Sequence, residues 1–136
     1  MAVEIQALVL CRGIANYRAG VADLLAAALT RIHPASGAYP CDVTPRFYML
    51  LRKDSREVEL PVEIELRVLD EDGKTLDPPG VNLMKGVFPA GNRFWAPTGG
   101  IRMALPRPGD YSLLCAARDA EGVSHYRYDF EAGRGA

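Results

Sequence analysis

The segment from residue 105 to residue 130 restricts the possible folds most, because it has the pattern of two β-strands joined by a short turn. Pro108 fixes its own φ angle and Gly109 tolerates a positive one, so the chain turns just before Tyr111. Every second side chain after that turn lies on one face of a strand. The residues on this face are Tyr111, Leu113, Cys115 and Ala117.

The chain turns again over Asp119-Ala120-Glu121-Gly122, where we expect Gly122 to take the left-handed conformation. A second strand then returns with aromatic residues on one face and polar residues on the other. The two sets are Tyr126, Tyr128 and Phe130, and His125, Arg127 and Asp129. The whole segment therefore predicts a β-hairpin.

Alternation with a period of two residues recurs elsewhere in the chain. It is clearest in residues 62–68, where Val62, Ile64, Leu66 and Val68 alternate with Glu63, Glu65 and Arg67. Burial of each aliphatic side chain contributes roughly 1.5–3 kcal/mol, so this strand is expected to line the core. Residues 46–52 and 101–105 also predict strands, and residues 70–74 predict a tight turn. The first strand is expected to place Val3, Ile5, Ala7 and Val9 on one face.

Three segments lack a clear strand pattern. Residues 12–20 are expected to interrupt the first strand, and residues 33–45, with three prolines and one glycine, predict a loop. Residues 81–100 carry widely spaced glycines and prolines and predict a long irregular loop. Long loops of this kind often carry the function of a compact domain.

Residues 21–32 fit two different structures. Apolar side chains at spacings of three and four residues, with Pro34 just beyond, favour a helix. A strand would be apolar on both faces, as in a fully buried strand, although the segment is poor in β-branched residues.

The hairpin resembles a known family of folds. Pro108-Gly109-Asp110-Tyr111 together with Asp119-Ala120-Glu121-Gly122 is similar to the last hairpin of immunoglobulin-like and fibronectin type III-like β-sandwiches. The order of segments from Leu24 to Phe130 also resembles a group of short bacterial β-rich proteins of unknown function. This second resemblance implies that residues 24–32 form a strand, and we adopt that prediction over the helix.

These patterns together predict an all-β fold. We expect an antiparallel β-sandwich, immunoglobulin-like in general architecture, with about seven or eight strands and at most one short helix, at residues 21–32. Residues 1–131 are expected to form a single domain, and residues 132–136 a frayed tail.

Composition excludes several classes of partner. The chain has 136 residues, with 16 basic and 17 acidic side chains and a net charge of −1, so no basic face for nucleic acid is expected. No apolar run approaches the roughly eighteen residues of a membrane span. The first residues lack the basic region of a signal peptide. Cys11, Cys41 and Cys115 form no Cys-x-x-Cys motif, which fits reduced thiols in the cytoplasm.

The predicted loop at residues 81–100 contains the candidate binding residues. These are Lys85, Phe88, Arg93, Phe94 and Trp95. Aromatic and arginine side chains are the usual anchors of binding surfaces. A structural alternative is that Trp95 and Phe88 close one end of the sandwich.

The sequence supports metal-binding or catalytic sites less strongly than a binding surface. His33, Cys41, Asp42 and His125 are ligand-type residues, but their spacing matches no compact zinc motif, so no metal or cofactor is expected. Cysteine catalysis would need a histidine beside Cys41 or Cys115, and Cys115 is expected to be buried and inert. Glu63 and Glu65 share one strand face with Arg67, which favours a solvated face over a catalytic carboxylate pair.

The leading hypothesis is a non-enzymatic protein-interaction module of a bacterial cell. It would present residues 81–100, or an exposed sheet edge, to another protein or to a second copy in a homodimer. The first alternative is a carbohydrate- or small-ligand-binding domain that uses Trp95. The second alternative is an enzyme whose site, built from His33, Cys41, Asp42 and His125, is assembled only by folding.

Overall fold

The computed structural model describes residues 3–18, 21–25, 29–33, 38–54, 57–76 and 81–133. These residues form an all-β fold with thirteen strands and no helix. Eight strands are five residues or longer, in line with the number expected, and five are two or three residues long. The strands are β1 (Glu4–Cys11), β2 (Gly13–Arg18), β3 (Val21–Leu25), β4 (Arg31–Ile32), β5 (Cys41–Val43), β6 (Arg46–Arg52), β7 (Leu60–Leu69), β8 (Val81–Phe88), β9 (Phe94–Trp95), β10 (Thr98–Gly100), β11 (Met103–Leu105), β12 (Gly109–Arg118) and β13 (Val123–Ala132).

Two larger sheets contain most of these strands. The four-stranded sheet has the order β1-β6-β10, with β9 also paired to β6, and the five-stranded sheet has the order β4-β13-β12-β7-β8. The pairs β2–β3 and β5–β11 form separate two-stranded sheets. Within the described residues all pairs are antiparallel except β4 with β13.

The inward faces of the two larger sheets form one hydrophobic core. The four-stranded sheet contributes Phe47, Met49 and Leu51 from β6. The five-stranded sheet contributes the four aliphatic residues predicted for β7, which are all buried: Val62, Ile64, Leu66 and Val68. Because the apolar faces of two sheets meet in this way, the fold is sandwich-like, as predicted.

The predicted hairpin is confirmed as β12 and β13. The two strands pair from Gly109 opposite Ala132 to Arg118 opposite Val123, and Gly109 has a φ of 151°. The inward residues predicted for β12 are buried, and the Tyr111 ring stacks on Phe130 with centroids 5.7 Å apart.

The hydroxyl of Tyr111 closes the turn that leads into β12. It donates a hydrogen bond to the backbone carbonyl of Arg107 at 2.6 Å. A hydrogen bond of this kind, from a buried tyrosine to the backbone a few residues upstream, is called a tyrosine corner. The Pro-Gly-x-Tyr sequence therefore corresponds to a defined local structure.

The turn between β12 and β13 differs from the prediction at Gly122. Among the described glycines, positive φ occurs at Gly73, Gly91 and Gly109, so the prediction of a left-handed Gly122 is wrong. The Asp119 carboxylate closes the turn instead, because its Oδ1 accepts hydrogen bonds from the backbone N–H groups of Glu121 and Gly122 at 2.8 and 2.9 Å. An aspartate that bonds to nearby backbone in this way needs no left-handed residue.

Strand β1 changes face along its length. Val3 and Ile5 are buried as predicted, but beyond them Leu8 and Leu10 are buried rather than Ala7 and Val9. The pairing with β6 shifts between Ile5 and Ala7, which leaves Gln6 as the extra residue of a bulge. A bulge of one residue reverses the faces of the side chains that follow it, so the expected Val3-Ile5-Ala7-Val9 face is wrong in its second half.

The strand prediction for residues 24–32 is confirmed in part, because residues 29 and 30 are described and lie in no strand. Residues 21–25 form β3 and residues 31–32 form β4, whereas residues 26–28 lie outside the described residues. Residues 13–18 form β2, which pairs with β3, so the interruption expected at residues 12–20 is in fact mostly strand.

Two predicted loops also contain strands. Residues 41–43 in the first loop form β5, and residues 81–88 in the second form β8, followed by β9 and β10. At the end of the chain, Ala132 is buried within β13 and the Gly133 N–H donates to the Ile32 carbonyl, so residues 132 and 133 are part of the fold. Residues 134–136 lie outside the described residues. Within the described part of the chain there is no helix that could span a membrane.

Candidate functional site

Strand β8 forms one edge of the five-stranded sheet. Its eight residues pair with β7 along one side, and no described strand pairs with its other side. Its outward side chains are Val81, Leu83, Lys85 and Val87. Three of these are apolar and exposed, at 40% for Val81, 64% for Leu83 and 49% for Val87. We call the free side of residues 81–87, with these outward side chains, the β8 edge.

Trp95 supports β8 from the inner side. A Cβ atom on Gly86 would lie 2.6 Å from Cη2 of Trp95, so only a glycine leaves room for the indole at this position. The indole also packs against the buried Phe88, with ring centroids 5.7 Å apart and planes tilted by 51°. Trp95 thus packs beneath β8 against Phe88. This packing agrees with the structural alternative, in which the two residues close one end of the sandwich.

The predicted binding residues fall into two groups. Lys85 and Phe94 are exposed, Phe94 at 51%, whereas Phe88 is buried and Trp95 is half-buried. Arg93 is partly buried, and its Nε atom has no hydrogen-bond partner among the described residues. Lys85 therefore lies on the strand that Trp95 and Phe88 support. The role of all five residues in binding stays a prediction.

A buried lysine that was not among the predicted site residues connects the segments before β7 and after β8. Lys53 follows β6 and is 3% exposed. Its Nζ donates hydrogen bonds to the carbonyls of Val58 and Pro89, both at 2.7 Å, and lies 4.5 Å from the centroid of the Phe88 ring. Burial lowers the pKa of Lys53, because the charged form is desolvated, while nearby Glu59 opposes that shift. No sequence motif predicts this role for Lys53, because the two carbonyl groups that it binds are brought to it only by the fold.

The sequence did contain a signal for the β8 edge. Val81, Leu83 and Val87 occupy every second position, but the alternate positions carry Asn82 and Gly86, which are not typical of an inward face. The side chain of Asn82 forms two hydrogen bonds with the backbone of Arg102: it accepts from the N–H at 3.2 Å and donates to the carbonyl at 3.3 Å.

The outward face of β7 beside the β8 edge is charged. Glu63 lies opposite Lys85, Glu65 opposite Leu83 and Arg67 opposite Val81. Arg67 also forms an ion pair with Glu65, with Nη2 and Oε1 2.8 Å apart. Glu65 is therefore paired with Arg67 along the surface of the sheet, whereas Glu63 lies opposite Lys85.

The structure separates most of the candidate metal-binding and nucleophilic residues. His125 lies on the exposed face of β13, whereas Cys41 and Asp42 lie on β5. Across the described ranges no group of three or more His, Cys, Asp or Glu side chains is arranged to hold a metal ion. Cys115 is fully buried, and this burial raises the pKa of its thiol to about 12, which disfavours the reactive thiolate.

A wide acidic groove lies at another part of the surface, near the turn after β7. Its volume is about 870 Å³, and its lining includes Asp72, Asp110, Asp129 and Glu131. Two of these carboxylates already have partners, since Asp129 accepts from Ser112 and Arg127, and Glu131 pairs with Arg31 at 2.7 Å. The hydrogen bonds from Arg127 and Ser112 lower the pKa of Asp129. Asp129 and Glu131 are therefore held by neighbouring side chains.

No protein-family model matches this sequence, and the search of curated proteins found no match. Among solved structures, the chain is similar to a β-glucuronidase from glycoside hydrolase family 2, with a TM-score of 0.55 and 12% identity over 68% of this chain and 10% of the other. It is also similar to a glycosyl hydrolase family 2 member from Bacteroides cellulosilyticus, with a TM-score of 0.53 and 11% identity over 69% of this chain and 12% of that one.

These similarities concern the fold alone, because the sequence identity is low. The chain spans only about a tenth of the length of either glycoside hydrolase chain. At a coarse level, both matches place this protein among β-rich domains of the sandwich type.

Proposed function

We propose that this protein is a non-enzymatic protein-interaction module that binds its partner through the β8 edge. The observation that supports this function is an eight-residue strand at the edge of a sheet whose outward face exposes Val81, Leu83 and Val87. Exposed edge strands present unpaired backbone N–H and C=O groups, and most proteins protect them with charges, prolines or bulges. The outward face of the β8 edge carries one charged residue, Lys85, and is therefore well suited to pairing with another strand.

The proposal includes a more specific fold and a cellular setting. The tyrosine corner at Tyr111 and the Pro-Gly-x-Tyr hairpin support an immunoglobulin-like architecture. The likeness to short bacterial β-rich proteins supports a bacterial origin. Cys11, Cys41 and Cys115 are all free thiols, which supports the cytoplasm as the location.

A capture experiment with two matched variants tests this function. Val81 and Val123 are both valines, both 40% exposed and both in the five-stranded sheet, but Val81 is on β8 and Val123 is on β13. The full chain, Val81→Lys and Val123→Lys would each be immobilised and exposed to a bacterial extract, followed by mass spectrometry of what is retained. We expect Val81→Lys to lose the retained partner and Val123→Lys to keep it. Equal retention by both variants would exclude the β8 edge as the binding site.

The carbohydrate-binding alternative has less support in the geometry. A stacking platform needs an open aromatic face, and the indole of Trp95 lies beneath Gly86 and beside Phe88. The chain has one tryptophan, so its fluorescence reports on this site alone. A shift of the emission on addition of sugars, abolished in a folded Trp95→Ala variant, would favour the alternative over the protein-interaction module.

A further inference from the structure

We infer that the partner of the β8 edge is a second copy of this chain, paired antiparallel about a two-fold axis that passes between the two copies of Met84. The inference rests on the proposed function of the β8 edge. Two five-stranded sheets would join into one continuous sheet of ten strands. Isologous pairing of this kind is common, because one surface that fits itself is used twice.

Symmetry leaves few possible registers. In an antiparallel pair, residues directly opposite each other point to the same face of the sheet. One residue must therefore lie directly opposite its own copy, since a shift by one would set the outward Val81, Leu83 and Val87 against inward side chains. Near the middle of β8 this central residue can be Leu83, Met84 or Lys85.

The outward side chains distinguish these three registers. An axis at Lys85 places the two Lys85 side chains directly opposite each other, which is unfavourable because like charges repel. An axis at Leu83 sets Val81 opposite Lys85 of the second copy and leaves Val87 beyond the paired residues of β8. An axis at Met84 pairs the whole of residues 81–87, with Val81 opposite Val87 of the second copy and Leu83 opposite Lys85.

The charges beside the edge fit the Met84 register. Lys85 lies opposite Glu63 of its own chain, so its ammonium group keeps an acidic neighbour on one side while its aliphatic stem contacts Leu83 of the second copy. At either end of the junction, Val81 and Val87 form apolar cross-strand pairs. This register therefore gives each of the three exposed apolar side chains a cross-strand neighbour and opposes no like charges directly.

Sedimentation velocity over a range of concentrations tests the inference, with three variants of the full chain. We expect the unmodified chain and Val123→Lys to dimerise equally, and Val81→Lys to weaken dimerisation by about tenfold or more, since two lysines would each replace an apolar contact. The double variant Val81→Lys/Val87→Glu should recover dimerisation, because the Met84 register places residue 81 opposite residue 87. Circular dichroism would verify that each variant is folded.

Each other outcome overturns a defined part of the inference. A chain that is monomeric at all concentrations overturns self-pairing, while the capture experiment with Val81→Lys still decides the proposed function. A dimer that Val81→Lys does not weaken excludes the β8 edge as its interface and overturns self-pairing through this edge, while the capture experiment again decides the proposed function. Loss of the dimer in Val81→Lys without recovery in the double variant overturns the Met84 register.

Discussion

The hydroxyl of Tyr111 shows how one atom fixes a turn in this fold. The side chain is buried, and its O–H donates to the Arg107 carbonyl at 2.6 Å. Burial raises the pKa of Tyr111, and the hydrogen bond to Arg107 opposes that shift only in part. The neutral hydroxyl is therefore the form present in the folded protein at ordinary pH, and it serves as a donor.

Replacing Tyr111 with phenylalanine should destabilise the protein while leaving the core intact. The Tyr111→Phe variant keeps the ring that stacks on Phe130 but leaves the Arg107 carbonyl without its donor. Because Arg107 is exposed, water can reach this carbonyl, and we expect the loss of an ordinary hydrogen bond, about 0.5–1.5 kcal/mol, in the free energy of unfolding measured in urea.

Tyr126→Phe is the control for this measurement. Tyr126 lies on the paired strand, and its hydroxyl makes no hydrogen bond to any described residue. We expect a change below about 0.5 kcal/mol for this variant. Equal losses in the two variants would show that the hydroxyl of Tyr111 has no special role in the turn.

The sequence predicts some residue positions better than others for a physical reason. The faces of β7 and β12 follow from it, because apolar and polar positions alternate without interruption over residues 62–68 of β7 and the inward positions of β12 are set by the hairpin. Strand β1 is apolar at each of residues 7–10, so its pattern fits either face and does not reveal the bulge at Gln6. The bulge is fixed by pairing with β6, which is distant in sequence.

At the scale of whole elements, strand β8 depends on a neighbour that its own sequence does not show. Its inward positions are unusual for a strand because Gly86 makes room for Trp95, nine residues later in the chain. The short strands β5, β9 and β10 are likewise set by distant partners rather than by local propensity. The strand that presents an apolar edge was therefore not predicted, and the binding role of the candidate residues beside it stays a prediction.

Filling the space at Gly86 should disturb both β8 and the tryptophan. In Gly86→Ala the new Cβ would lie 2.6 Å from Cη2 of Trp95, so the indole must move. Overpacking of this kind costs about 1–3 kcal/mol. We expect a lower free energy of unfolding together with a shift of the fluorescence of the single tryptophan.

Two further variants make this prediction specific. Gly100→Ala is the control, because its Cβ would lie 3.4 Å from the nearest atom, an ordinary contact. The double variant Gly86→Ala/Trp95→Phe should recover part of the lost stability, since the smaller ring vacates the position of Cη2. A Gly86→Ala variant that is as stable as the unmodified chain, with unchanged fluorescence, would show that β8 does not depend on this contact.

At the scale of the whole molecule, a single carboxylate joins the two larger sheets. Asp119 lies in the turn between β12 and β13 of the five-stranded sheet, where its Oδ1 accepts the N–H groups of Glu121 and Gly122. Its Oδ2 accepts the N–H of Val3 at 2.7 Å, just before β1 of the four-stranded sheet and 116 residues away. One side chain therefore closes a local turn and fixes a long-range contact of the sandwich.

Removing this carboxylate should affect both sheets together. Asp119→Ala leaves three backbone donors without their acceptor, and we expect a loss of about 1–3 kcal/mol in the free energy of unfolding, together with faster amide exchange at both Val3 and Gly122. Asp119→Asn keeps one carbonyl oxygen and can satisfy the turn or Val3 but not both sites fully, so its loss should be intermediate. If exchange accelerates at Gly122 alone, the contact with Val3 contributes nothing to joining the sheets, which are then held by the packing of their apolar faces and by the hydrogen bond from the Ile5 N–H to Ser124 Oγ.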